Sequence, residues 1–202
     1  MRILLITYYF LSLIIWGIVP IRQKDGRYFL FFLILIVGDL VTIGIRLLDQ
    51  SSNFFLTANF IYVISAMLRL IVVQEKKIHI STAIFIIFIS LASIIFEING
   101  LSYKNEVALL SIFHFLFLFK FLQNFIITLT EKKIINIFLV CLIFYEITAA
   151  TKYFGLITGF VNANSYYLIT TIFEILIGIF FCIFREDNPR ILIPLEKIGI
   201  NA

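Results

Sequence analysis

The sequence predicts an all-α integral membrane protein, a bundle of seven transmembrane helices. Of its 202 residues, 62% are hydrophobic and only 14% are charged, whereas soluble globular chains average about 45–50% and 25%. The mean hydropathy is +1.09, and apolar runs follow one another along almost the whole chain. No stretch remains for a separate water-soluble domain, so soluble enzyme classes are excluded.

Polar residues interrupt the apolar sequence at nearly regular intervals. A hydrocarbon core about 30 Å thick takes about 20 helical residues to cross, and the runs between the interruptions have that length. They are continuously apolar rather than alternating, which favours helices over barrel strands. In chain order, the predicted spans are residues 3–21, 28–48, 54–73, 80–98, 107–130, 134–154 and 166–184, followed by a tail at 185–202.

The orientation follows from lysine and arginine, which stay on the cytoplasmic side when they occur in short connections. Basic residues concentrate in the odd-numbered connections and the tail, at Arg22, Lys24, Arg27, Lys76, Lys77, Lys132, Lys133, Arg185, Arg190 and Lys197. The other side has only Arg2 and Lys104. We therefore expect the N-terminus outside and the C-terminus in the cytoplasm. The high content of Ile, Phe, Asn and Lys is typical of low-GC bacteria and indicates a multi-pass protein of the bacterial inner membrane.

The tail is too short to fold alone or to cross a bilayer. Its apolar stretch at 191–193 is expected to lie in the cytoplasmic interface of the membrane. Because the tail contributes no span, truncation after Asn188 is expected to leave the stability of the bundle nearly unchanged.

Charged side chains lie near the middle of several predicted spans. Each costs at least about 2.5–3.5 kcal/mol at mid-bilayer and so needs a partner, water or a function. The primary candidates for binding a ligand, an ion or a proton are Asp39, Lys120, Glu146 and Glu174. They fall on polar stripes at helical spacing, which predicts that they point inward. Because one lysine cannot neutralise three carboxylates, a functional cavity and a structural ion-pair network both stay open, with Lys120 as the expected counter-ion.

Further polar residues form a secondary set of candidates towards the outer ends of the spans: Arg46, Glu97, His114 and Tyr153. Arg46 and Lys152 are expected to snorkel, since long side chains there reach the headgroups. His114 can exchange protons near neutral pH, and we place Glu97 at the same depth.

Two resemblances bear on cofactors and activity. Seven helices with an external N-terminus resemble microbial rhodopsins, but Glu174 stands at the depth where those proteins carry the retinal lysine, so neither retinal nor another cofactor is predicted. Gly38 and Asp39 resemble the Gly-Asp element of YhhN-type lysoplasmalogenases, which hydrolyse a vinyl-ether lipid. The later Ser-Asp motif of that family has no counterpart in the last three spans.

A polar interior without a reaction motif predicts a small-ligand- or ion-binding sensory or accessory membrane module. Two alternatives stay open: a proton-coupled small-molecule transporter or channel, and an intramembrane lipid hydrolase that uses paired carboxylates. The sequence shows no nucleophile–base pair, metal cluster or phosphate loop, so binding is expected rather than catalysis, with no metal site. The expected partners are the lipid bilayer and another membrane protein, contacted through helix faces or the tail, and not nucleic acid.

Overall fold

The computed structural model describes residues 2–48, 103–158 and 163–198 of the chain. These residues are mostly helical, and the helices match the long apolar runs of the sequence. The helices are α1 (Arg2–Arg22), α2 (Phe29–Leu48), α3 (Tyr103–Glu131), α4 (Ile137–Thr158) and α5 (Ala163–Ile183). Segments of α3, α4 and α5 are long and apolar enough to cross a membrane, namely Leu110–Glu131, Ile137–Gly155 and Ser165–Ile183.

These helices correspond to five of the seven predicted spans. The mostly helical architecture with membrane-spanning candidates is thus confirmed. The third and fourth predicted spans, 54–73 and 80–98, lie outside the described residues. A complete bundle of seven helices therefore stays a prediction.

The outer surface of the described helices is apolar, as lipid contact requires. On α5, exposed large side chains recur at helical spacing, at Ile169, Phe173, Leu176 and Ile183. The polar residues Thr170, Thr171 and Glu174 of the same helix are buried. An apolar outside around a polar inside is the arrangement that a hydrocarbon solvent favours.

The chain around residue 134 differs from the sequence prediction. Residues 134–136 were expected to begin the sixth span, but Ile134–Asn136 forms a short strand, β1, paired antiparallel with β2 (Leu192–Pro194). Lys133 adopts a positive φ of 54°, which reverses the chain after α3. The Asn136 side chain then accepts a hydrogen bond of 2.9 Å from the Phe138 N–H. This cap fixes the beginning of α4 at Ile137, because it satisfies a donor of the first helical turn.

The tail packs on the bundle, in contrast to the interfacial position expected from its sequence. Ile191 and Leu195 are buried, and the Leu195 N–H donates to the Lys133 carbonyl at 2.9 Å. A short 3-10 helix, Pro189–Ile191, leads into β2 and is capped by the Asn188 side chain. The tail thereby covers the end of the bundle where α3 meets α4.

The turn between α1 and α2 is tied to the same end. The Gln23 amide is buried and donates to the carbonyls of Phe181 and Phe184, at 2.7 and 2.8 Å. These bonds satisfy carbonyls that the last turn of α5 leaves without helical partners. The Arg27 N–H donates to the Glu186 carboxylate at 3.0 Å. Burial raises the pKa of Glu186, and the bond from Arg27 opposes that shift.

An aromatic core fills this end of the bundle. We use this name for a cluster of buried rings, Trp16, Tyr28, Phe31, Phe32, Phe117, Phe121, Tyr145, Phe138 and Phe181. Ring centroids of Phe138 and Phe181 are 4.8 Å apart, and those of Trp16 and Tyr145 are 4.5 Å apart. Such edge and tilted contacts stabilise beyond the area they bury, by about 0.5–1.5 kcal/mol per pair. These contacts hold the helices together at this end of the bundle.

Candidate functional site

A polar cavity of about 360 Å³ lies among the described helices, next to the aromatic core. Its charged or titratable side chains come from four helices: Asp39 on α2, His114 on α3, Lys152 on α4 and Glu174 on α5. Aromatic side chains complete much of the wall: Tyr9, Trp16, Tyr145, Tyr153 and Tyr167.

Helical spacing explains why these residues meet. On each of three helices the lining residues recur at positions i, i+4 and i+7, which share one helix face. They are Leu35, Asp39 and Thr42 on α2, Tyr145, Ala149 and Lys152 on α4, and Tyr167, Thr171 and Glu174 on α5. On these three helices the polar face is therefore turned towards a common space.

Lys152 and Glu174 form an ion pair at the cavity wall. The Lys152 Nζ lies 2.8 Å from a Glu174 oxygen, and both side chains are largely buried. The same ammonium group lies over the Tyr167 ring, 4.4 Å from its centroid. Lys152 thus points inward to a carboxylate, whereas the sequence interpretation placed its ammonium in the headgroup region. The energetic reason is that the pair neutralises two charges that would otherwise be desolvated alone.

His114 and Glu146 form a second buried pair. The His114 Nδ1 is 2.7 Å from a Glu146 oxygen, with side-chain exposures of 3% and 0%. The other Glu146 oxygen, Oε1, is buried and has no hydrogen-bond partner among the residues that the structure describes. His114 lines the cavity and its ring stacks on Tyr153 at 5.2 Å. The imidazole of His114 therefore lies between the cavity and the Glu146 carboxyl group. In this geometry the His114 Nδ1 and the Glu146 oxygen can share one proton.

Asp39 differs from the other carboxylates of the site. It lines the cavity and is exposed there, within coulombic range of Glu174, Lys152 and His114. Among the residues that the structure describes, no side chain forms a hydrogen bond or ion pair with its carboxylate. The cavity thus contains one acidic group that the described part of the protein does not neutralise by direct contact.

The structure brings together most of the candidates predicted from the sequence. Asp39 and Glu174 line one cavity, as do His114 and Tyr153 of the secondary set. Glu146 stands directly behind His114. Their roles in binding or proton transfer stay predictions.

The counter-ion role expected for Lys120 stays a prediction. It is partly buried on α3 and is not among the described residues that line the cavity. Lys152, which is near the end of its predicted span, is the cation paired with Glu174. Glu97 lies outside the described residues, as does the side chain of Arg46.

Sequence reasoning missed Lys152 and most of the aromatic lining. The signal for Lys152 was present, because it continues the helical stripe of Tyr145 and Ala149. Its depth near the end of a span favours snorkelling instead. Tyrosine is common at the ends of spans, at the membrane interface, so position alone does not identify Tyr9 and Tyr167 as cavity-lining residues.

Comparison of the chain with family models, with curated proteins and with solved structures finds no match. Function must therefore be inferred from the geometry of the site. Within the described residues, no group of three or more His, Cys, Asp or Glu side chains is placed to hold a metal ion. The arrangement instead offers a small cavity with charged, hydrogen-bonding and aromatic groups around it, which is the composition of a small-molecule site.

Proposed function

We propose that this chain is a seven-helix protein of the bacterial inner membrane that binds a small polar ligand in the cavity, as a sensory or accessory module. The observation that carries the proposal is the open space beside Asp39, whose carboxylate has no direct partner among the described residues. A charge left in this way inside a membrane protein is costly unless something else compensates it. A bound ligand would supply the compensation.

The volume of the cavity supports binding over a purely structural network. Ligand pockets occupy about 300–1,000 Å³, and the cavity here, at about 360 Å³, suits a small molecule. A structural network would close around its charges, as the pair of His114 and Glu146 does. Beside Asp39 the described residues leave a cavity.

The proposed orientation places the cavity in the outer half of the membrane and the aromatic core in the cytoplasmic half. A ligand would then enter from outside. The described connections carry no separate domain, so its effect would reach a partner protein through helix faces or through the tail on the core.

Proton-coupled transport is the second candidate, and the pair of His114 and Glu146 favours it. Two titratable groups 2.7 Å apart at the cavity wall can pass a proton between cavity and interior when a ligand changes the local charge. Proton movement into proteoliposomes on addition of the ligand would distinguish this candidate from simple binding.

The proposal is tested by measuring the unfolding temperature of the purified protein with and without a small-molecule extract of the cells that carry its gene. Ligand at about 100 times its Kd stabilises a protein by about 2.7 kcal/mol, a shift of roughly 5–10 °C for a chain of this size. We expect such a shift for the wild type and its loss in Asp39→Asn.

Asp25→Asn is the matched control, because Asp25 is an exposed carboxylate in the turn after α1. This variant should respond like the wild type. If the extract shifts none of the three proteins, or shifts Asp39→Asn as much as the wild type, the cavity beside Asp39 is not the binding site.

A further inference from the structure

The charges at the cavity do not cancel when they are paired by contact. Lys152 is engaged with Glu174 at 2.8 Å, and His114 with Glu146 at 2.7 Å. The carboxylate of Asp39 is left over among the described groups that line the space. A ligand that brings one positive charge would balance it, whereas an anion would add to the excess.

The aromatic lining of the cavity favours one class of cation, the ammonium ions. Aromatic rings attract ammonium groups through the negative electrostatic potential of their faces. The cavity already shows this contact, because the Lys152 ammonium lies 4.4 Å from the centroid of the Tyr167 ring. Tyr9, Tyr145 and Tyr153 present further aromatic surface to the same space.

A bare metal ion suits the cavity less well. Hard cations such as Ca²⁺ and Mg²⁺ require six or more oxygen ligands in close geometry. The described residues offer no group of three or more His, Cys, Asp or Glu side chains for a metal. A carboxylate that has no direct partner among the described residues and lies near aromatic rings matches a cation that carries its own apolar surface.

We propose that the cavity binds a small organic ammonium ion. Its N–H groups donate to the Asp39 carboxylate, and its carbon atoms contact the tyrosine rings. The inference rests on the proposed ligand-binding function and gives that ligand a chemical class.

The charge preference of the cavity can be measured with a thiol placed in its wall. Ala149 lines the cavity, and Ala149→Cys can be made after both native cysteines, Cys141 and Cys182, are changed to serine. The purified protein is treated with methanethiosulfonate ethylammonium or with the anionic ethylsulfonate reagent. Each rate is divided by the rate of the same reagent with a free thiol in solution.

We expect the cationic reagent to be preferred by about tenfold or more, because a negative charge without a direct partner among the described residues attracts one sign of charge and repels the other. Adding Asp39→Asn should reduce the preference to near one. Adding Asp25→Asn should leave it unchanged, since Asp25 is an exposed residue outside the cavity lining. Equal rates for the two reagents, or a preference for the anion, would overturn the inference.

A competition experiment distinguishes binding of an organic ammonium ion from a general preference for cations. Phenylethylammonium chloride should slow the labelling of Ala149→Cys more than sodium chloride at the same ionic strength, and phenylethanol should not. Equal protection by sodium would contradict the aromatic part of the inference. If neither reagent reaches the thiol, the cavity is closed to water and the proposed function itself fails, which separates the two failures.

Discussion

The aromatic core and the polar cavity are built from the same helices but differ in how they use space. In α4, Phe138 and Leu142 are buried in the core, while Ala149 and Lys152, further along, line the cavity. Along α5 the cavity residue comes first, with Glu174 at the cavity and Phe181 further along in the core. Buried rings pack against one another in one half of the described bundle, whereas charged, small and tyrosine side chains surround a cavity in the other half.

Trp16 marks the boundary between the two regions. Its ring lies 4.5 Å from that of Tyr145, and its Nε1–H donates to the Glu174 backbone carbonyl at 3.2 Å. The close approach of α1 to α5 here depends on Gly178, where an added Cβ would lie 2.8 Å from a methyl carbon of Ile15. The two regions therefore have different roles at different depths of the bundle. Packing in the aromatic core sets the positions of the helices, and these positions bring the polar side chains together around the cavity.

The largest expected effect comes from breaking the aromatic core. Phe181→Ala removes a ring that is 0% exposed, and such truncations cost about 3–5 kcal/mol through lost contacts and a residual void. Phe173→Ala on the same helix is the matched control, because Phe173 is 55% exposed on the outer surface. Chemical unfolding in detergent should show a large loss for the first variant and little for the second. Equal losses would mean that the core does not hold the bundle together.

A smaller loss of stability is expected when the tail is removed. This experiment tests whether the tail belongs to the packed core. Truncation after Asn188 removes β2 with the buried Ile191 and Leu195. We now expect a loss of about 2 kcal/mol or more in the free energy of unfolding, the lower range for losing one buried aliphatic side chain. Glu196→Ala, a change at an exposed tail residue, should have almost no effect. An unchanged stability after truncation would restore the sequence expectation of a dispensable tail.

The helical regions were predictable because apolar runs and polar stripes both follow from simple periodicity. Asp39 and Glu174 could be placed at one cavity, since a charge facing lipid is too costly. The tail was not predictable in the same way. The pairing of 134–136 with 192–194 joins segments far apart in sequence. Short apolar stretches such as these fit the beginning of a span or an interfacial patch equally well.

Charge pairing was the least predictable part of the site. Depth along a helix suggested Lys120 as counter-ion, but pairing also depends on helix rotation and on which helices are neighbours. Because α4 packs against α5, Lys152 reaches Glu174. Likewise α3 packs against α4, and His114 meets Glu146. A single sequence contains no direct signal for these neighbours.

The central claim, an open polar cavity beside a closed core, is tested most directly by two adjacent alanines on α4. Ala149 and Ala150 are both buried, at 3% and 1% exposure, but only Ala149 is among the described cavity-lining residues. In a background without native cysteines, a water-soluble thiol reagent should modify Ala149→Cys readily and Ala150→Cys at least about tenfold more slowly, since burial alone protects a thiol. Equal protection of both positions would show that the space beside Asp39 is not open to water, and would contradict the account.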